Sequence, residues 1–191
     1  MSSPVILKHG DYTGLAENYA KFRPGYAPQL VTAILGFVGR DAANIDGADI
    51  GAGTGIWTRM LAARSLRSII AIEPNDEMRE RGLETSRGTP IVWRKGSAEA
   101  TGLPDASVDL VSMASSFHWA DFDKACDEFH RILRRGGVRC AVEPAPHRDQ
   151  STACGDRKRD YTPETRFPSR LLGTFGFNRT SDRKVIFQGW I

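Results

Sequence analysis

Apolar residues recur along the chain with two different periods. Leu30, Val31, Ile34, Leu35 and Val38 fall on one face of a helix. Residues 68–73 (SIIAIE) instead form a short, nearly continuous apolar run, the pattern of a strand covered on both faces. Residues 45–50 read as a strand interrupted by Asp46 and Gly47, followed by a glycine-rich turn at 51–55. Trp57, Met60 and Leu61 then predict a helix running to about residue 66. The alternation continues with a helix at 76–83, strands at 91–94 and 108–114, and a helix at 123–134. That last helix carries Ala125, Phe129, Ile132 and Leu133 on one face and is expected to stop at Gly136 and Gly137, before a fifth strand at 138–142. Strands alternating with helices at this spacing predict an α/β fold, a Rossmann-like doubly wound, mostly parallel sheet with helices on both faces.

Both ends depart from this pattern. Residues 11–25 are polar and aromatic and read as a short helix or arm ending at Pro24. Between residues 144 and 165 only Ala145, Ala153, Cys154 and Tyr161 are apolar, too few to offset the entropy of ordering, so this stretch is expected to be disordered. Residues 171–191 regain apolar character, enough for one turn or helix and one strand marked by Val185, Phe187 and Trp190. The expected division is a main domain at 1–143, a flexible linker at 144–170 and a partial C-terminal segment at 171–191.

Composition narrows the classes. The 191 residues are 40% hydrophobic and 26% charged, with a net charge of +3. Residues 1–146 are near neutral, whereas 147–191 hold nine basic and five acidic side chains. A near-neutral body excludes nucleic-acid binding driven by bulk charge. The basic cluster Arg157-Lys158-Arg159 has only Tyr161 nearby, a poor stacking platform, so nucleic-acid modification is a weak third reading. Three cysteines far apart argue against a disulfide framework or a CxxC site, and four scattered histidines add no metal-ligand spacing, so no metal is expected. No apolar run approaches the ~20 residues needed to span a bilayer. Val5-Ile6-Leu7 is too short for a signal-peptide core, so a cytoplasmic location is expected.

The chemistry concentrates in two places. Asp49-Ile50-Gly51-Ala52-Gly53-Thr54-Gly55 lies between a predicted strand and helix, where glycines admit a ligand against the backbone and the helix offers free N–H groups. The dinucleotide fingerprint GxGxxG fails on both readings, at Ile56 or Thr58, which disfavours a nicotinamide-dependent oxidoreductase. Glu73 ends the second strand, where a doubly wound sheet places a carboxylate beside its ligand crevice and can hold both hydroxyls of a ribose.

These motifs, with Gly96–Val111 (GSAEATGLPDASVDLV), Phe117-His118-Trp119 and Arg131–Gly137 (RILRRGG), resemble class I S-adenosylmethionine-dependent methyltransferases over residues 12–143. The similarity is greatest to the type 11 small-molecule group, whose N-terminal arm carries a Y…RPxY pattern like Tyr19 to Tyr26. The resemblance implies methyl transfer from S-adenosyl-L-methionine to a small-molecule acceptor, leaving S-adenosyl-L-homocysteine. It implies that Gly51, Gly53 and Gly55 line the methionine part of the cofactor, with Asp49 holding the loop or the cofactor amine. Glu73 would bind the ribose, Pro74 and Met78 the adenine face, and Ala98 and Glu99 the adenine edge. Relatives carry Asp where this chain has Ser97. Ser115 would lie beside the sulfonium, Arg23 would pair with the cofactor carboxylate, and Tyr19 belongs to an arm at 12–26 folding over the cofactor. Phe117 and Trp119 would wall the acceptor pocket. His118 between them is the candidate base if the acceptor must lose a proton, and otherwise a pocket-lining residue.

Family members continue past the fifth strand with acceptor-binding helices and two more strands, whereas 48 residues follow Glu143 here. The expectation is a five- or six-stranded sheet with an exposed edge and an open pocket. Weak cofactor binding and slow or absent turnover would follow, which leaves a truncated or non-catalytic chain as the alternative reading.

Overall fold

The structure, a computed structural model, describes residues 26–142 together with the backbone of two strands at 176–180 and 183–188. The proposed arm up to residue 25, with Tyr19 and Arg23, and the stretch at 144–165 lie outside the described residues.

The elements follow from their end signals. Helix α1, Pro28–Val38, begins with proline in its first turn and ends at Gly39, whose φ of +69° provides the left-handed cap. Val31, Ile34 and Val38 are its buried face. Strand β1, Asp46–Ile50, leads through the glycine turn into α2, Ile56–Ala62. Strand β2, Ser68–Ile72, is followed by α3, Asp76–Thr85, whose N-cap Asn75 accepts a bond from the Met78 N–H at 3.0 Å. Strands β3, Ile91–Arg94, and β4, Val108–Ala114, precede α4, Phe122–Ile132, capped by Asp121. Strand β5 is Leu133–Val142, and β6 and β7 are Gly176–Thr180 and Arg183–Gln188.

The sheet order is β3-β2-β1-β4-β5-β7-β6. Strands β1 to β5 and β7 run parallel, and β6 pairs antiparallel with β7. The order reverses between β1 and β4, which opens a crevice beyond the C-terminal ends of those two strands. One apolar layer, with Val31, Ile34, Trp57, Leu61 and Ile69, covers one face; Ile50, Ile72, Val111, Phe129 and Ile132 belong to the other. Among the described residues no helix is long and apolar enough to cross a membrane.

Four expectations are corrected. The sheet has seven strands rather than five or six, because 176–188 form a hairpin whose two strands are separated by only two residues. The argument for weak binding from a missing strand falls with it. Helix α2 ends at Ala62, not near residue 66. Helix α4 ends at Ile132, and Gly136 and Gly137 do not stop it. They lie inside β5, where the pairing shifts from Val108–Leu133 to Leu110–Val138 and Gly136 takes a φ of +78°. Gly137 is needed for space: a Cβ there would sit 2.8 Å from the Leu133 side chain and 2.9 Å from the Arg134 carbonyl.

Charge fastens the other end of the sheet. The buried Asp109 carboxylate accepts from Arg40 at 2.6 Å, Arg134 at 2.8 Å and the Asp46 N–H at 3.0 Å. Arg134 also binds Asp46 at 2.7 Å, and Arg67 pairs with Asp46. Asp109→Ala is expected to lower stability by about 2–3 kcal/mol in urea unfolding, since it orphans a backbone N–H and two partly exposed guanidinium groups that water can rehydrate. An unchanged urea midpoint would show that the network is ornamental.

Candidate functional site

Each side of the crevice is built by a strand end. The N-terminal end of α2 begins at Gly55 (φ +80°), and the preceding Gly51 and Gly53 also lie in the left-handed region, at +67° and +57°. Space adds to the requirement at Gly51, where a Cβ would stand 2.7 Å from the Ser116 side chain. The loop is tied down from behind: Arg59 donates to the Thr54 carbonyl at 2.8 Å and to Thr85 Oγ1 at 2.8 Å.

Two carboxylates organise its front. Glu73, at the end of β2, accepts the Gly53 N–H at 2.8 Å on one oxygen and the Asn75 N–H at 2.9 Å on the other. Burial raises its pKa, and those two backbone bonds partly offset the rise. Asp49, on β1, is fully buried and accepts from Thr58 Oγ1 at 2.5 Å and Ser112 Oγ at 3.2 Å. Burial pushes its carboxyl up to about 7 against the effect of those hydroxyls. Ser112 is itself held by the Trp57 indole N–H at 3.2 Å. Asp49 therefore binds β1, β4 and α2 together beneath the glycine loop.

The resulting cleft has a volume of about 280 Å³, near the small end of small-molecule sites. Of the residues singled out from sequence, Asp49, Gly51, Gly53, Glu73, Pro74 and Met78 line it. So do Ser97, Ala98, Glu99, Ser115 and Trp119. Three do not. Gly55 starts α2 and faces Trp93, whose ring a Cβ would meet at 2.8 Å. Phe117 turns toward α4, with ring centroids 5.7 Å from Phe122 and 6.4 Å from Phe129. His118 is exposed and leans on Trp119 at 4.7 Å, outside the lining. The aromatic wall is thus Trp119 without Phe117, and the structure does not bring His118 to the cleft.

Sequence reasoning did not name Trp57 and Thr54 as lining residues, and it placed Tyr26 over the cofactor only as the end of the arm. Tyr26 was visible only as the last letter of the arm pattern, and Trp57 only as an apolar helix position. Thr54 Oγ1 is buried without a hydrogen-bond partner among the described residues.

These features fit an S-adenosylmethionine-type ligand. Backbone free of Cβ atoms admits a chain against the loop, Glu73 keeps lone pairs for a vicinal diol, and the acidic lining side chains Glu73 and Glu99 suit a cation.

Comparisons with known proteins agree with this geometry. Residues 48–141 match the family described as "Methyltransferase domain". An uncharacterized methyltransferase of Mycobacterium tuberculosis is 36% identical over 121 residues, covering 62% of this chain and 46% of that protein. A ubiquinone/menaquinone biosynthesis C-methyltransferase of Rubrivivax gelatinosus is 37% identical over 91 residues, 47% of this chain and 35% of its own. A solved chain of Anaeromyxobacter dehalogenans, provisionally named a type II methyltransferase, superposes with a TM-score of 0.55 at 32% identity, covering 64% of this chain and 49% of that one. The chain spans about half the length of the curated relatives it matches first. With sheet order, glycine loop and acidic strand end in agreement, residues 48–141 are a methyltransferase domain of the class I S-adenosylmethionine-dependent family.

Proposed function

We propose that the chain transfers a methyl group from S-adenosylmethionine to a small-molecule acceptor by in-line displacement. The observation that carries this reading is the Glu73 carboxylate on the Gly53 N–H at 2.8 Å, which joins the glycine loop and the acidic strand end into one wall of the cleft. When bound, the cofactor supplies an electrophilic methyl group on a cationic sulfur.

The protein's part is binding, alignment and exclusion of water. Glu73 accepts the ribose hydroxyls while keeping its two backbone bonds. Gly51 and Gly53 let the ligand's amino-acid portion lie against the main chain. Met78, buried at the start of α3, and Ala98 after β3 enclose the adenine. Ser115 and Trp119, beyond the end of β4, would be the residues beside the ligand's sulfur end. Trp119 is 40% exposed at the rim and offers an apolar face to an acceptor. His118 is exposed outside the described lining, and an acceptor already nucleophilic at neutral pH needs no base. The quinone C-methyltransferase among the relatives supports a small molecule as acceptor.

Calorimetry on the full chain tests the reading. S-adenosylhomocysteine should bind with a micromolar dissociation constant and NADH should not bind. Binding of NADH but not of the thioether would reverse the assignment to a nicotinamide enzyme. Binding of neither would leave a methyltransferase-like protein without cofactor function.

A further inference from the structure

The Tyr26 hydroxyl lies 2.9 Å from Ser115 Oγ, joining positions 89 residues apart, and both residues line the cleft. Ser115 sits just past β4 with a φ of +55°, a conformation that an ordinary side chain adopts only when its surroundings hold it. The hold is visible on every side. Its N–H donates to the Val142 carbonyl of β5 at 2.7 Å. Ser116 next to it donates to the Ile50 carbonyl at 3.2 Å and fills the space that a Cβ on Gly51 would take. Tyr26 is fixed in turn, its ring edge-on to Trp57 with centroids 5.2 Å apart and planes at 74°.

The two hydroxyls are not equivalent. A phenol is a far stronger acid than an alcohol, so Tyr26 is the favoured donor and Ser115 the acceptor. Ser115 then retains its own O–H and a lone pair, and accepting a bond strengthens the one it gives. With the diol held by Glu73 at the end of β2, a ligand laid across β1 would bring its reacting end toward β4, where Ser115 stands.

We propose that Tyr26 is a positioning residue: through Ser115 Oγ it orients a hydroxyl toward the methyl-transfer end, so that the cleft favours ligands carrying a polar group at that position. This rests on the reading of the cleft as an S-adenosylmethionine site. Tyr26 acts through Ser115 and is not itself a catalytic residue.

Two analogues separate this role from a structural one. Sinefungin carries an amino group where the transferable methyl stands, and S-adenosylhomocysteine carries nothing there. Both are titrated by calorimetry into the full-length wild type, Tyr26→Phe, Ser115→Gly and the double variant. Glycine is chosen because it accepts the positive φ without strain. Tyr26→Phe and Ser115→Gly should each weaken sinefungin by about five-fold, the worth of one hydrogen bond, and S-adenosylhomocysteine by less than about two-fold. The double variant should bind sinefungin no more weakly than Ser115→Gly alone. A merely structural role would weaken both analogues alike. Equal losses, or an unchanged ratio in Tyr26→Phe, therefore overturn this proposal while leaving the reading of the cleft intact. Failure of the wild type to bind either analogue overturns the reading and the proposal together.

Discussion

Replacing Glu73 with alanine is expected to weaken S-adenosylhomocysteine binding by about a hundred-fold, the largest loss available from one side chain of the cleft. Three contributions are removed at once. The Gly53 and Asn75 N–H groups lose a charged acceptor, at 2.8 and 2.9 Å respectively, and the ligand loses its diol partner. A bond to a charged group is worth about 1.5–3 kcal/mol, so two of them suffice for the expected factor. Glu73→Gln is the discriminating control. It keeps one carbonyl acceptor and the side-chain volume, and should lose only about ten-fold. An alanine variant within three-fold of wild type, by calorimetry, would remove Glu73 from the binding site.

The second large effect concerns stability. In Asp49→Asn the folded protein should gain roughly 2–4 kcal/mol relative to wild type at pH 8, and much less at pH 5. The sign follows from burial. With its pKa pushed up to about 7, Asp49 keeps a proton in the folded chain that the unfolded chain, titrating near the ordinary carboxylate value, has already released. Its stabilising contribution is complete below the unfolded value and is lost as pH rises through the folded one, so wild type suffers most above pH 7. Asparagine does not ionise and retains an acceptor for Thr58 Oγ1. Urea unfolding of both proteins at pH 5 and pH 8 measures the difference. A gap independent of pH would show that Asp49 does not titrate in this range.

What could be read from sequence divides by the distance over which each feature is made. The glycine turn and Glu73 are local: 20 residues separate Gly53 from the carboxylate that holds it, and each sits at a strand end marked by its own apolar run. Strands 91–94 and 108–114 have the same limits in sequence and structure, because both are bounded by polar and turn residues. The errors arise where a distant partner decides. Gly136-Gly137 carries a helix-stop signal, yet Leu133 has already left the helix to pair with Val108, so the glycines serve a bulge instead. Gly55 belongs to the same motif as Gly51 and Gly53, but the space beside it is occupied by the Trp93 ring rather than open to the cleft. Phe117 and Trp119 look alike in sequence, and only the position of α4 separates the packed ring from the one on the cleft. Tyr26 gains its place from a hydroxyl 89 residues away, which no local pattern announces.

The reversal of strand order between β1 and β4 has a consequence for how the chain acquires its shape. β1 is finished on one side by β2, an adjacent unit, but on the other only by β4, with Asp49 opposite Ser112 across 63 residues. During synthesis the first half of the domain therefore emerges with the inner edge of β1 bare and Asp49 without its Ser112 partner. Contacts of such sequence separation slow folding, because the loop must close before any of them forms. The nascent chain passes through its most association-prone state between residues 50 and 108, and a chaperone that binds apolar strand edges would act on that interval. Ribosome-bound chains halted with residue 100 exposed should be protease-sensitive at β1, and those halted with residue 142 exposed should be protected there.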